Sequence, residues 1–307
     1  MSRGTSNPSS IRNESSRRKM PDPTLKQRLT DVEFILAPGI YDMISALIAD
    51  QMGFQALYVT GYGTVASALG IPDAGIATYR DMIERIAQMT KLTRTPVIAD
   101  ADTGYGGLLN VRHTVRGYEE AGVSAIQLED QEFPKKCGHT PNRRVVPVAD
   151  MVKKIEVAVD SRRSDDFLII ARTDARTSLG LDEAIRRAEA YAAAGADVLF
   201  VESPESTEEV KAIAEAIDRP LLANMVNGGR TPLLPAPALQ ALGYRIAIYP
   251  ALGFLAHGHA VRHAYQDLLD NGITTDAVPL YPFKDFNILL GFEDVWAFEK
   301  KFAETED

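Results

Sequence analysis

Between Phe34 and Pro250 the chain repeats one phrase eight times: a short apolar run ends in a polar or glycine-containing cluster, and an amphipathic stretch follows. The runs are FILAPG, ALYVTG, TPVIAD, AIQLED, FLIIAR, VLFVES, PLLANM and RIAIYP. Each has the length of one strand and is nearly continuous in Ala, Val, Ile and Leu, as expected of strands covered on both faces in a parallel sheet. The stretches between them, such as LDEAIRRAEAYAAAGA and TEEVKAIAEAID, repeat apolar residues at helical spacing. Strand–helix alternation sustained over about 250 residues predicts an α/β chain closed as a (β/α)8 TIM barrel. The competing doubly wound sheet opens on a G-x-G-x-x-G turn after its first strand. Here the first strand runs into PGIYDMISALIAD, and TGYGTVASALG after the second has no acidic partner for a ribose.

Residues 23–307 are expected to form this single domain, with a C-terminal helical extension. Residues 1–22 read as a disordered tail, because they are rich in Ser and Arg and offer too few apolar groups for a core. The first twenty residues, Arg- and Ser-rich with Glu14 as their only acid, also have the composition of an organellar transit peptide. No apolar run approaches the roughly 20 residues that span a bilayer. A net charge of -9 argues against a nucleic-acid or anionic-membrane surface. The single cysteine excludes an internal disulfide and fits the reducing cytoplasm.

A barrel gathers its function at the C-terminal ends of its strands. There the chain places Asp100 and Asp102, Glu129 and Asp130, Arg172 to Asp174, Glu202 and Asn224. Residues two apart on a strand share a face, so Asp100 and Asp102 are both expected to point into the mouth. Carboxylates converging in one cleft repel unless a cation lies among them. Hard oxygen donors without histidine suit Mg²⁺ or Mn²⁺ rather than zinc. Because Mg²⁺ keeps several waters, Asp100 is expected to bind directly and Asp102 and Glu129 partly through water. Arg172 suits a substrate carboxylate held bidentately.

The lone Cys137 lies in the loop after the fourth strand, in EDQEFPKKCGHTPNRR. A polar, cationic setting makes a thiol a thiolate or a proton donor. Lys135, Lys136 and His139 are expected to lower its pKa and draw in an anionic substrate, with Gly138 as the flexible point of a closing loop. His257, His259 and His263 in LAHGHAVRH are read as solvated or packing groups rather than a metal cluster. In GFEDVWAFEKKF, the residues Phe292, Val295, Trp296 and Phe302 share a helix face. That face docks on a neighbouring subunit or packs in the chain's own core.

KKCGH preceded by LEDQ, with DADTGYGG upstream and ARTDA and LLANM downstream, resembles the isocitrate lyase / phosphoenolpyruvate mutase superfamily. The resemblance implies a barrel that exchanges its last helix between paired subunits of a homotetramer, an essential Mg²⁺, and a gating loop around Glu132 to Arg144. It assigns Asp73 (in GIPDAG), Asp100, Asp102 and Glu129 to the metal. Thr60, Gly61 and Tyr62 would hold a substrate carboxylate, and Tyr41 would lie at the site's edge. Gly138, His139, Arg172, Glu202 and Asn224 complete the substrate-binding set, and Cys137 matches the proton donor of the lyase branch.

The loop cysteine disfavours the phosphonate-forming mutases and phosphonopyruvate hydrolases, and true isocitrate lyases are longer. The expected activity is therefore Mg-dependent cleavage of a small 2-hydroxy di- or tricarboxylate, of the 2-methylisocitrate or 2,3-dimethylmalate type, into a 2-oxo acid and a carboxylate. Cys137, Tyr62 and Arg172 would carry the chemistry. Oxaloacetate hydrolysis or decarboxylation and a carboxyphosphonoenolpyruvate mutase-like reaction are the alternatives. A barrel that only binds is disfavoured, since the whole residue set is present. Two departures bear on the substrate: Asn227 stands where many relatives have glutamate, and YPALGF replaces the YPLS of methylisocitrate lyases.

Overall fold

All eight apolar runs form strands in the computed structural model, which describes residues 22–138 and 143–303. They are β1 (Ile35–Ile40), β2 (Leu57–Val59), β3 (Val97–Asp100), β4 (Ala125–Glu129), β5 (Leu168–Thr173), β6 (Val198–Val201), β7 (Leu222–Asn224) and β8 (Ile246–Tyr249). Every pairing is parallel, in the order β6-β5-β4-β3-β2-β1-β8-β7. A parallel bridge between Leu199 and Leu221 joins the two ends of this ribbon and closes the barrel. Residues 1–21 and the expected substrate-binding His139 lie outside the described residues.

The strands alternate with period two between two cores. Ile35, Tyr58, Ile98, Ile170, Phe200 and Ile248 fill the barrel, while Leu57, Val59, Val97, Ile126, Leu128 and Ile169 pack outward against the helices. Leu25, from the helix Thr24–Thr30, joins the inner cluster and is fully buried. The inward register continues to the C-terminal mouth. Asp100 follows Ile98, Arg172 follows Ile170, Glu202 follows Phe200 and Asn224 follows Leu222, so the site's polar rim is an extension of the core pattern.

The helix after β8 departs from this plan. Leu252–Asn271 runs 20 residues without one buried residue. Near its start, a cavity of about 420 Å³ is bordered by Ile44, Ile48 and Met52 of the helix following β1. Phe292, Val295, Trp296 and Phe302 are 40 to 59% exposed, so packing in the chain's own core is not their role. Among the described residues no helix is long and apolar enough to cross a membrane.

Candidate active site

A cavity of about 260 Å³ opens at the C-terminal mouth, with Thr60, Asp73, Glu129, Cys137, Arg172 and Asn224 among its walls. Asp100 and Glu202 are also among its walls. Asp100 Oδ1 accepts from Asp102 N at 3.0 Å and from Gln127 Nε2 at 3.3 Å, and Tyr58 donates to Gln127 Oε1 at 2.8 Å. Asp100 Oδ2 lies so near Gly61 that a Cβ there would sit 2.7 Å from it. Asp102 does not reach the site by strand alternation. β3 ends at Asp100, and Asp102 lies in a turn at φ 49, a left-handed conformation that aspartate tolerates better than most residues.

Lys135, expected beside the thiol, is committed elsewhere. Its Nζ lies 2.5 Å from Asp73 Oδ1 and 2.6 Å from Asp102 Oδ1, with 4% of the side chain exposed. A buried ammonium needs such partners, and here it is the cation among the carboxylates. Burial pushes the Asp102 carboxyl up to about 7 against the pull of Lys135, with Asp100 and Asp73 adding to the rise. Burial likewise raises Glu129 well above the ordinary carboxylate range, opposed by Arg172. Glu129 Oε1 is buried without a hydrogen-bond partner among the described residues.

Asp100 and Glu129 suit a hard divalent cation by donor type and by the unsatisfied oxygen of Glu129, whereas Asp73 Oδ1 and Asp102 Oδ1 face the Lys135 ammonium. Among the described residues no three His, Cys, Asp or Glu side chains enclose an ion unaided.

Arg172, beside Glu129, is held from three sides. Its Nε and Nη2 donate to Asp174 Oδ2 and Oδ1 at 2.9 and 2.8 Å. Nη1 lies 3.3 Å from Glu202 Oε2 and Nε 3.5 Å from Glu129 Oε2, and the guanidinium sits over the Phe200 ring at 5.2 Å. The bidentate edge expected for a substrate carboxylate thus belongs to Asp174. Glu202, fully buried, also accepts from Asn224 Nδ2 at 3.1 Å.

Thr60, Gly61 and Tyr62 begin the helix Gly61–Leu69, whose first-turn N–H groups favour an anion. Tyr62 is 43% exposed and leans on Phe254 at 5.2 Å. Tyr41 lines the neighbouring cavity rather than this one, with its hydroxyl 3.0 Å from His257 Nδ1. His257 is itself exposed and its ring stacks against that of Tyr41.

Cys137 is half-buried in the cavity wall. Gly138 stands at a close approach, since a Cβ there would collide with Arg172 Nη2 and meet Glu202 at 3.0 Å. Gly138→Ala is expected to lower kcat/KM by about tenfold or more through overpacking. Gly107→Ala, where a Cβ meets nothing within 4 Å, is the control that should leave it unchanged.

The same barrel recurs in known proteins. Residues 25–269 match the phosphoenolpyruvate phosphomutase family. The chain belongs to the isocitrate lyase / phosphoenolpyruvate mutase superfamily, in its short lyase branch. Within this superfamily, 2,3-dimethylmalate lyase of Eubacterium barkeri is 46% identical over 280 residues, which are 91% of this chain and 97% of that one. The 2-methylisocitrate lyase of Aeropyrum pernix is 40% identical, covering 93% and 91%. A solved 2,3-dimethylmalate lyase superposes with a TM-score of 0.86 at 35% identity, covering 94% and 99%. Oxaloacetate acetylhydrolase in complex with 3,3-difluorooxalacetate gives 0.85 at 37%, covering 92% and 97%. Phosphonopyruvate hydrolase in complex with oxalate and Mg²⁺ gives 0.81 at 29%, covering 92% and 98%.

Proposed function

We propose that the protein is a Mg²⁺- or Mn²⁺-dependent lyase that cleaves the C2–C3 bond of a small 2-hydroxy dicarboxylate of the 2,3-dimethylmalate type. The observation that carries this reading is a lone cysteine in the wall of a cavity also lined by Asp73, Asp100, Glu129 and Arg172. Arg172 Nη1, Asn224 and the Thr60–Tyr62 helix start bind the substrate carboxylates. Glu202 holds Arg172 and Asn224 in place. The proton of the C2 hydroxyl passes to a base, for which Tyr62 is the cavity's own candidate. As the C2–C3 bond breaks, its electron pair stays on C3 and spreads into the adjacent carboxylate. Cys137 then protonates C3, which gives a 2-oxo acid and a saturated carboxylate.

Asp73, Asp100, Asp102 and Glu129 would hold the divalent cation, which supplies positive charge to stabilise developing negative charge on the substrate oxygens. Turnover of 2,3-dimethylmalate is the test. Chelation is expected to abolish it, and added Mg²⁺ or Mn²⁺ to restore it. Calorimetry should show the metal's binding heat lost in Asp102→Ala; turnover indifferent to chelation would remove the metal from the reaction.

The likeness to oxaloacetate acetylhydrolase favours one second reading, cleavage of oxaloacetate by water. That route also leaves an electron pair on C3 that must be protonated, so the two readings are separated by substrate and products, oxalate and acetate from oxaloacetate against a 2-oxo acid from a 2-hydroxy diacid. The loop around Glu132 to Arg144 is proposed to gate the site. A homotetramer that exchanges the helix Leu252–Asn271 is supported by that helix's lack of buried residues and by the exposed terminal aromatics. A monomer by light scattering would contradict it. Cytoplasmic residence is supported by the single cysteine.

A further inference from the structure

Ser203 combines a strained backbone with a buried hydroxyl that the proposed chemistry does not use. Its φ is 60, a left-handed conformation that glycine adopts freely and serine only against a penalty, and it is fully buried. Such a conformation persists where the side chain has work that glycine cannot do. Ser203 Oγ lies 3.0 Å from Gly138 O and 3.1 Å from Glu202 Oε1, so its single proton serves two acceptors. Arg143 Nη2 approaches the same oxygen at 3.5 Å.

Arg143 is itself buried. It donates through Nη1 to Asp174 Oδ1 and through Nη2 to Thr177 Oγ1 at 2.5 Å. Asp174 Oδ1 is also an acceptor for Arg172. The residue next to Cys137 is therefore bonded to Ser203, and Arg143 shares its carboxylate partner with Arg172. We infer that Ser203, assisted by Arg143, is a positioning residue that seats Cys137 in register with Arg172 and Glu202. The inference rests on Cys137 being the proton donor proposed above, but its test does not.

Ser203→Gly separates this role from a structural one, because glycine relieves the backbone while removing the hydroxyl. Its thermal midpoint is expected to equal or exceed that of the parent. Alkylation of Cys137 by iodoacetamide should become about three- to tenfold faster, the scale of one lost hydrogen bond, with kcat falling by a similar factor at nearly constant KM. Arg143→Gln should change alkylation in the same direction. Unchanged alkylation and unchanged kcat in a stable Ser203→Gly protein would overturn the inference. If Cys137→Ser keeps full lyase turnover while Ser203→Gly still speeds alkylation, the proton-donor reading fails and the seat stands.

Discussion

Cys137→Ser is expected to lower lyase kcat by about 10²–10⁴-fold, the range supplied by a positioned general acid. The two side chains are nearly isosteric, so the cavity wall and the Gly138 contacts should persist. What changes is acidity, since a serine hydroxyl holds its proton far more tightly than a thiol. The carbanionic product left at C3 would then wait for a proton from water. Steady-state kcat with saturating Mg²⁺, alongside an unchanged thermal midpoint, checks this. Activity within threefold of the parent would assign the protonation to another group.

Asp174→Ala carries the largest expected effect on stability. Asp174 is fully buried, grips Arg172 through two bonds and also receives Arg143. Its own N–H donates to Asp130 Oδ1 at 2.8 Å, and Thr173, Arg187 and Tyr191 hold Asp130 Oδ2. Truncation would leave two buried guanidiniums sharing a site without their common anion. Breaking a buried pair in this way costs about 3–5 kcal/mol, measurable by urea unfolding. A loss below about 1 kcal/mol, the scale of an exposed pair, would mean that solvent or a neighbour compensates.

The sign of the pH dependence follows from the same contacts. Burial opposes the charge on Asp174, but Arg172 and Arg143 hold its carboxyl below the usual range. The stabilisation is therefore present above the unfolded value of about 4 and is lost as pH falls through the lower folded value. Asp174→Ala should flatten that acid limb.

The barrel is legible in the sequence because strands buried on both faces leave nearly unbroken apolar runs. The rim residues Asp100, Glu129, Arg172, Glu202 and Asn224 are legible for a related reason, as they continue the inward period of their strands. The period stops where β3 stops, so a left-handed turn, which alternation cannot foresee, sets the position of Asp102. Lys135 meets Asp73 across 62 residues of sequence, and no local pattern encodes that contact. Arg172 and Asp174 are two apart in RTD, a visible spacing, but only the fold decides that they face each other rather than a ligand. Gly138 reads as a hinge in the sequence, and its close approach to Arg172 and Glu202 is a contact that no local pattern encodes.

The most direct measurement is release of a 2-oxo acid from 2,3-dimethylmalate by the purified, Mg²⁺-loaded protein, with oxaloacetate assayed in parallel. Metal-dependent cleavage of the hydroxy diacid that collapses in Cys137→Ser is the predicted result. Folded, metal-binding protein that leaves every 2-hydroxy diacid intact, or that turns over oxaloacetate alone and keeps doing so without Cys137, would contradict it.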